Sequence, residues 1–191
     1  MMSPIESPTK LTLDEFLELP ETEPASEYIN GRIYQKQMPQ RKHSKLQTSL
    51  VSAINQTGEP QQLAYGLTEL RCTFDRRSII PDISVFEWQR IPLNEYGDIE
   101  NRFETYPDWV IEILSPEQHD ARLTEKIIFC LNQGTKLGWL IDLEARLVII
   151  FKPKQQPEVK QDSDILPVLD VLDNWQLSAA ELFQWLSFRR N

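Results

Sequence analysis

A mixed β-sheet flanked by helices, an α/β (α+β) fold, is what this sequence predicts, and three observations carry it. Helix-period and strand-period segments follow one another in an order that is neither a βαβ alternation nor all-β. Several apolar strand candidates stand next to each other with no helix between them. The 191 residues, 40% hydrophobic and 26% charged, are globular in usage and sufficient for one core, so a single domain over residues 11–191 is expected behind a flexible leader, residues 1–10.

Thr12 with Glu15 three residues later reads as a capping box opening a short helix through Leu19, and Pro20 closes it. Asn30-Gly31 is a tight-turn signal between two strands. Leu46, Leu50 and Ile54 form one stripe of a helix ending near Gly58. Strands are expected over 62–65, 68–74, 79–86 and 109–114, as one meander. The polar stretch 87–106 exceeds the ~12–15 residues of ordinary loops and reads as functional, a dimer arm or mobile. Asp120 can cap a helix carrying Leu123, Ile127 and Leu131, ended by Gly134. Strands 137–143 and 147–151 follow around a turn at Glu144-Ala145, and Ser178 with Glu181 caps a last helix with Leu182, Phe183 and Leu186 inward.

Composition excludes several classes. No run approaches the ~18 apolar residues of a membrane span, and MMSPIESPTK lacks the apolar segment of a secretory signal, so a cytoplasmic protein with no membrane partner is expected. The two cysteines, Cys72 and Cys130, sit in apolar periodic segments and read as small buried hydrophobes. A net charge of -9 weighs against an electrostatic clamp on nucleic acid, although one face can differ from the total and divalent cations offset a carboxylate cluster.

Two carboxylates stand where apolar residues belong. In Trp109-Val110-Ile111-Glu112-Ile113-Leu114 both strand faces are otherwise apolar, so Glu112 requires a cation, a proton or an open strand end. Asp82 repeats the anomaly after Pro81, at the head of a second apolar strand. A salt-bridged core glutamate and a strand-opening turn are the structural alternatives. As a pair, the two acids make an oxygen site for Mg²⁺ or Mn²⁺; left bare ~5 Å apart they would repel by about 3 kcal/mol at an effective dielectric of ~20. Lys126 borders the apolar stripe of its helix, as a snorkelling lysine also does. His43 and His119 read as surface or capping residues, Asp142 as a supporting group or cap, and Tyr28, Trp88 and Trp109 as core or interface aromatics.

Pro81-Asp82 and Glu112-Ile113-Leu114 resemble the motif of the PD-(D/E)XK nuclease superfamily, with Leu114 replacing the usual lysine. The chain is more closely similar to the Uma-type family of restriction endonucleases, through Glu27-Tyr28-Ile29-Asn30-Gly31, Pro81-Asp82, residues 107–116, Lys126, Gly134 and Trp139-Leu140-Ile141-Asp142. The resemblance implies a restriction-endonuclease-like mixed sheet and a metal-dependent endonuclease acting on DNA. It implies that Asp82, Glu112 and the carbonyl of Ile113 bind Mg²⁺ or Mn²⁺. Lys126, migrated from strand to helix, would orient or activate the attacking water, and Glu27 would be a supporting acid. Cys130 and Gly138 depart from the family pattern, beside the site. A catalytically degenerate homodimeric binding module and a hydrolase of a non-DNA phosphodiester remain the rivals.

The family resemblance and the apolar area offered by Trp88 and Tyr96 predict a homodimer. Light scattering across micromolar concentrations should give twice the chain mass; the mass of one chain throughout would end the expectation.

Overall fold

Asn30 and Gly31 both take positive φ, 53° and 80°, the backbone of a primed two-residue turn, and fold β1 (Ser26–Ile29) back onto β2 (Arg32–Gln35). The computed structural model describes residues 11–115 and 120–188; the expected leader and His119 lie outside them, as does the Asp120 side chain. Thr12 and Ser178 each close a complete capping box, opening α1 (Leu13–Leu17) and α4 (Ala179–Gln184).

The strands form two sheets rather than one meander. The small sheet runs β2-β1-β5-β4, with β4 (Cys72–Phe74) and β5 (Arg77–Ile79). The large sheet runs β10-β9-β8-β7-β6-β3, from β3 (Ala64–Thr68), β6 (Ile83–Glu87), β7 (Trp109–Leu114), β8 (Leu137–Asp142), β9 (Leu147–Phe151) and β10 (Glu158–Gln161). Among the described strands only β7 and β8 pair in parallel, joined by the crossover helix α3 (Asp120–Gln133).

The strand expected over 79–86 is cut at Ile80–Asp82, where the chain crosses between sheets. Pro81 has no N–H to offer, and the N–H of Ile80 donates instead to Glu27 Oε1 at 2.8 Å. The strand expected over 68–74 shortens to β4, with Glu69 turned to φ 50°. The one expected over 62–65 moves to β3 because Gln62, at φ 53°, ends a 3₁₀ turn.

Alternation along β7 sends Trp109, Ile111 and Ile113 to one face, where Leu46, Leu50 and Ile54 of α2 (Arg41–Gly58) and Leu182 and Phe183 of α4 cover them. Val110 faces the other way, with Leu123 and Ile127 of α3 and Cys72 and Ile79 of the small sheet. A sheet covered on both faces explains its near-continuous apolar runs and leaves Glu112 within the second layer. Cys72 and Cys130 are buried there as free thiols, and burial drives both pKa values up, that of Cys72 to about 12.

Residues 87–106 are docked at both ends. Phe103 is buried with its ring 5.1 Å from Phe86, and Arg90 donates to the carbonyl of Tyr106 while pairing with buried Asp108 at 2.7 Å. The outer tip exposes Leu93, Tyr96 and Ile99. Among the described residues no helix is long and apolar enough to cross a membrane.

Gly138, one of the two departures from the family pattern, lies in β8 where an added Cβ would run into the buried Ile127 methyl of α3. Gly138→Ala should therefore destabilise by about 1–2 kcal/mol, as overpacking does. In an Ile127→Ala background the same change should be neutral or stabilising, a sign reversal that urea unfolding reads directly.

Candidate active site

The antiparallel register of β6 and β7, with Ile83 opposite Ile111, brings Asp82 and Glu112 to the same end of neighbouring strands. Both are buried, at 2% and 1% exposure. Asp82 Oδ2 accepts from the backbone N–H of Ile113 at 2.7 Å and lies 3.0 Å from His43 Nε2; Oδ1 accepts from Lys36 Nζ at 2.9 Å. Lys126 reaches down from α3, 2.7 Å from Glu27 Oε1 and 3.0 Å from Glu112 Oε1. The predicted Asp82, Glu112, Ile113, Lys126 and Glu27 thus converge on one seam, between the two sheets and under α3.

The sequence places one cation, Lys126, beside an acid pair expected to repel without an ion, and the structure adds a second, Lys36. Each acid faces a lysine, Lys36 at Asp82 and Lys126 at Glu112, so much of the expected repulsion is already compensated. His43 is a correction: it is 3% exposed and hydrogen-bonded to Asp82 rather than a surface or capping residue. Its spacing carried the signal, because 43, 46, 50 and 54 fall on one stripe of α2. Gln47, on the same stripe, donates to the carbonyl of Asp82 at 2.8 Å and to Glu69 at 2.9 Å. Lys36 also binds Glu69, at 2.6 Å, but follows β2 in a polar run that gives no such signal. Asp142 is a turn cap, accepting from the N–H groups of Glu144 and Ala145 at 2.9 and 2.8 Å.

The two acids titrate in opposite directions. Burial raises the pKa of Asp82, but Lys36, His43 and Lys126 outweigh it and hold the group well below the ordinary carboxylate range. For Glu112 burial prevails, aided by Asp82 and Glu27 against Lys126 and Lys36, and pushes the group up to about 8. Burial works against the charge of Lys126, yet Glu112 and Glu27 more than compensate and keep it protonated.

Among the described residues no group of three or more His, Cys, Asp and Glu is disposed to hold a metal ion. The pair nevertheless fits a hard divalent cation of the Mg²⁺ kind, which takes one or two carboxylates and fills the remaining positions with water and substrate oxygens. Glu112 Oε1 is buried with no hydrogen-bond partner, since Lys126 approaches it out of line, and so leaves an acceptor for such an ion.

Fold and seam together define a nuclease-like α+β protein, a mixed sheet with a buried acid pair and lysine where the strands cross between layers. The sequence profile described as "Uma2: Putative restriction endonuclease" matches residues 13–180, and the chain belongs to that family. It is also similar to a crystal structure of "a putative nuclease belonging to DUF820 from Anabaena variabilis", with a TM-score of 0.90 and 51% identity over 92% of this chain and 99% of that one. No curated protein matches the chain.

The opposed shifts predict the pH dependence of stability without metal. Glu112 binds its proton more tightly folded than unfolded, so its contribution is full below its ordinary pKa of 4.5 and is lost as pH rises through about 8. Asp82 has the reverse sign, and its contribution is lost as pH falls below its ordinary 3.8. Urea midpoints in chelator should fall as pH rises from about 5 to about 8.5. Glu112→Gln, which mimics the protonated form, should flatten that slope; an unchanged slope would show that Glu112 does not titrate there.

Proposed function

We propose that the chain is a metal-dependent endonuclease that hydrolyses phosphodiester bonds of DNA. The observation that carries the proposal is the buried Glu112 oxygen without a hydrogen bond, set between Lys126 and the strand that holds Asp82, in a member of a restriction-endonuclease family. Asp82, Glu112 and the carbonyl of Ile113 would hold Mg²⁺ or Mn²⁺. When bound, such an ion supplies a Lewis acid for a phosphoryl oxygen and lowers the pKa of a water.

The chain's own residues then have separable roles. Lys126 stays protonated, so it acts as a donor rather than a base, orienting the attacking water and stabilising charge on the phosphate in the transition state. Glu27 fixes Lys126, and because Glu27 also takes the Ile80 N–H it ties that lysine to the crossing between sheets. His43 and Gln47 position Asp82. Water would add its oxygen to phosphorus as the P–O bond to the leaving sugar oxygen breaks, the water's proton ending on that oxygen as a hydroxyl, with no covalent enzyme intermediate. The rival reading, a degenerate binding module, draws on Lys36, which occupies Asp82 as a structural counter-ion would.

Mn²⁺ at ~100 times its Kd should raise the melting temperature by roughly 5–10 °C. Asp82→Asn should abolish that rise and, by removing the carboxylate that Lys36, His43 and the Ile113 N–H all meet, should melt below wild type in chelator. Lys126→Met should keep the metal-induced rise while losing DNA hydrolysis about 100-fold or more. A metal-induced rise without hydrolysis by wild type would favour the binding module, and no rise at all would end the metal site.

A further inference from the structure

Glu112 and Lys126 form the floor of a cavity of about 200 Å³ between the β1–β2 hairpin and the first turns of α3. Glu27 and Lys36 share that floor, whereas the rim is of another kind. Tyr34 of the hairpin is half-buried, and the Arg122 guanidinium lies over its ring, 4.4 Å from the centroid. Arg122 is exposed and makes no ion pair among the described residues. It also stands third in its helix, the end at which the backbone dipole disfavours a cation. Arg77, also on the rim, is by contrast tied to Glu125 at 3.2 Å and stacked on Phe129, and is explained by the fold.

A phosphodiester must descend past this rim to meet acids that are 1–2% exposed. In a continuous duplex every base is already paired and stacked, so none can lie on Tyr34 without first being unpaired. Duplex binding also draws much of its affinity from many phosphate contacts, which a chain of net charge -9 is poorly furnished to make. A single strand needs less: a stacking face for a base and a cation or two for its backbone. The Tyr34–Arg122 pair supplies both.

We propose that the cleft takes unpaired DNA, with one base stacked on the Tyr34–Arg122 pair and the adjoining phosphate delivered to Glu112 and Lys126. The class of substrate is thus single-stranded DNA or a single-stranded end. The binding half stands without catalysis; the cutting half rests on the nuclease reading.

Anisotropy of a fluorescein-labelled mixed-sequence strand, and of the blunt duplex it forms with its complement, tests the binding half on the full chain in chelator. The strand should bind about tenfold tighter than the duplex. Tyr34→Ala should weaken strand binding about tenfold while Tyr34→Phe stays within about twofold, as a stacking role requires. Arg122→Ala, at an exposed position, should weaken it and lower the salt slope by about one. Equal affinity for strand and duplex would overturn the proposal, as would unchanged strand binding in both Tyr34→Ala and Arg122→Ala at wild-type melting temperature. Adding Mn²⁺ separates the two readings. Strand binding that depends on Tyr34 with no cutting of either DNA sinks the nuclease reading alone, whereas internal cutting of the blunt duplex as fast as the strand sinks this one alone.

Discussion

A buried carboxylate must be met by a cation or by a proton, and that requirement organises this molecule. Asp82 is held by Lys36, His43 and the Ile113 N–H, while Glu112 is held by Lys126 and by a pKa pushed up to about 8. The partners come from separate elements: Lys36 follows the small sheet's hairpin, His43 sits on α2, Lys126 on α3 and Glu27 on β1. The electrostatic demand of two side chains therefore fixes how both sheets and two helices meet. Removing one partner leaves a charge without compensation in a dry site, so the contacts hold as a set.

Such a cluster is a poor way to gain stability. Well-packed apolar residues of similar volume commonly serve a protein core as well or better. The surroundings show that the chain could have built such a core there, because Val110, two residues before Glu112 on the same strand face, is fully buried with Ile127 and Leu123 of α3. Under the nuclease function proposed above, the acids are the chemistry around which the fold is arranged. The crossing at Pro81 fits the same reading, since the residue that breaks the strand also frees the Ile80 N–H to orient Glu27.

What the sequence could reveal follows from how local each signal is. The hairpin at Asn30-Gly31, both capping boxes and β9 were legible because turn chemistry and period act within a few residues. Asp82 and Glu112 were legible because a charge in an apolar run contradicts its neighbours. The division into two sheets was not, because it depends on where backbone donors go, and one of them goes to Glu27, 53 residues away. β10 escaped for a similar reason: Glu158–Gln161 shows no alternation and is a strand only through its pairing with β9. Lys36 reaches Asp82 across 46 residues from a polar run, so only the fold discloses it. His43 differs, since its place on the α2 stripe could have been read.

The two lysines are not equivalent, and the difference bears on how the site could work. Lys126 is pinned on both sides, with Glu27 at 2.7 Å and Glu112 at 3.0 Å, both of them buried acids. Lys36 divides its donors among Asp82, Glu69 and the Ile80 carbonyl, and Glu69 is exposed enough for water to replace it. A cation arriving at Asp82 would have to displace Lys36 and not Lys126. Lys36 can withdraw toward Glu69 and solvent, keeping its charge paired, whereas Lys126 has no such refuge. The geometry thus divides one mobile counter-charge from one fixed donor, which is the arrangement that the proposed nuclease site would need to admit a metal and still hold Lys126 in register.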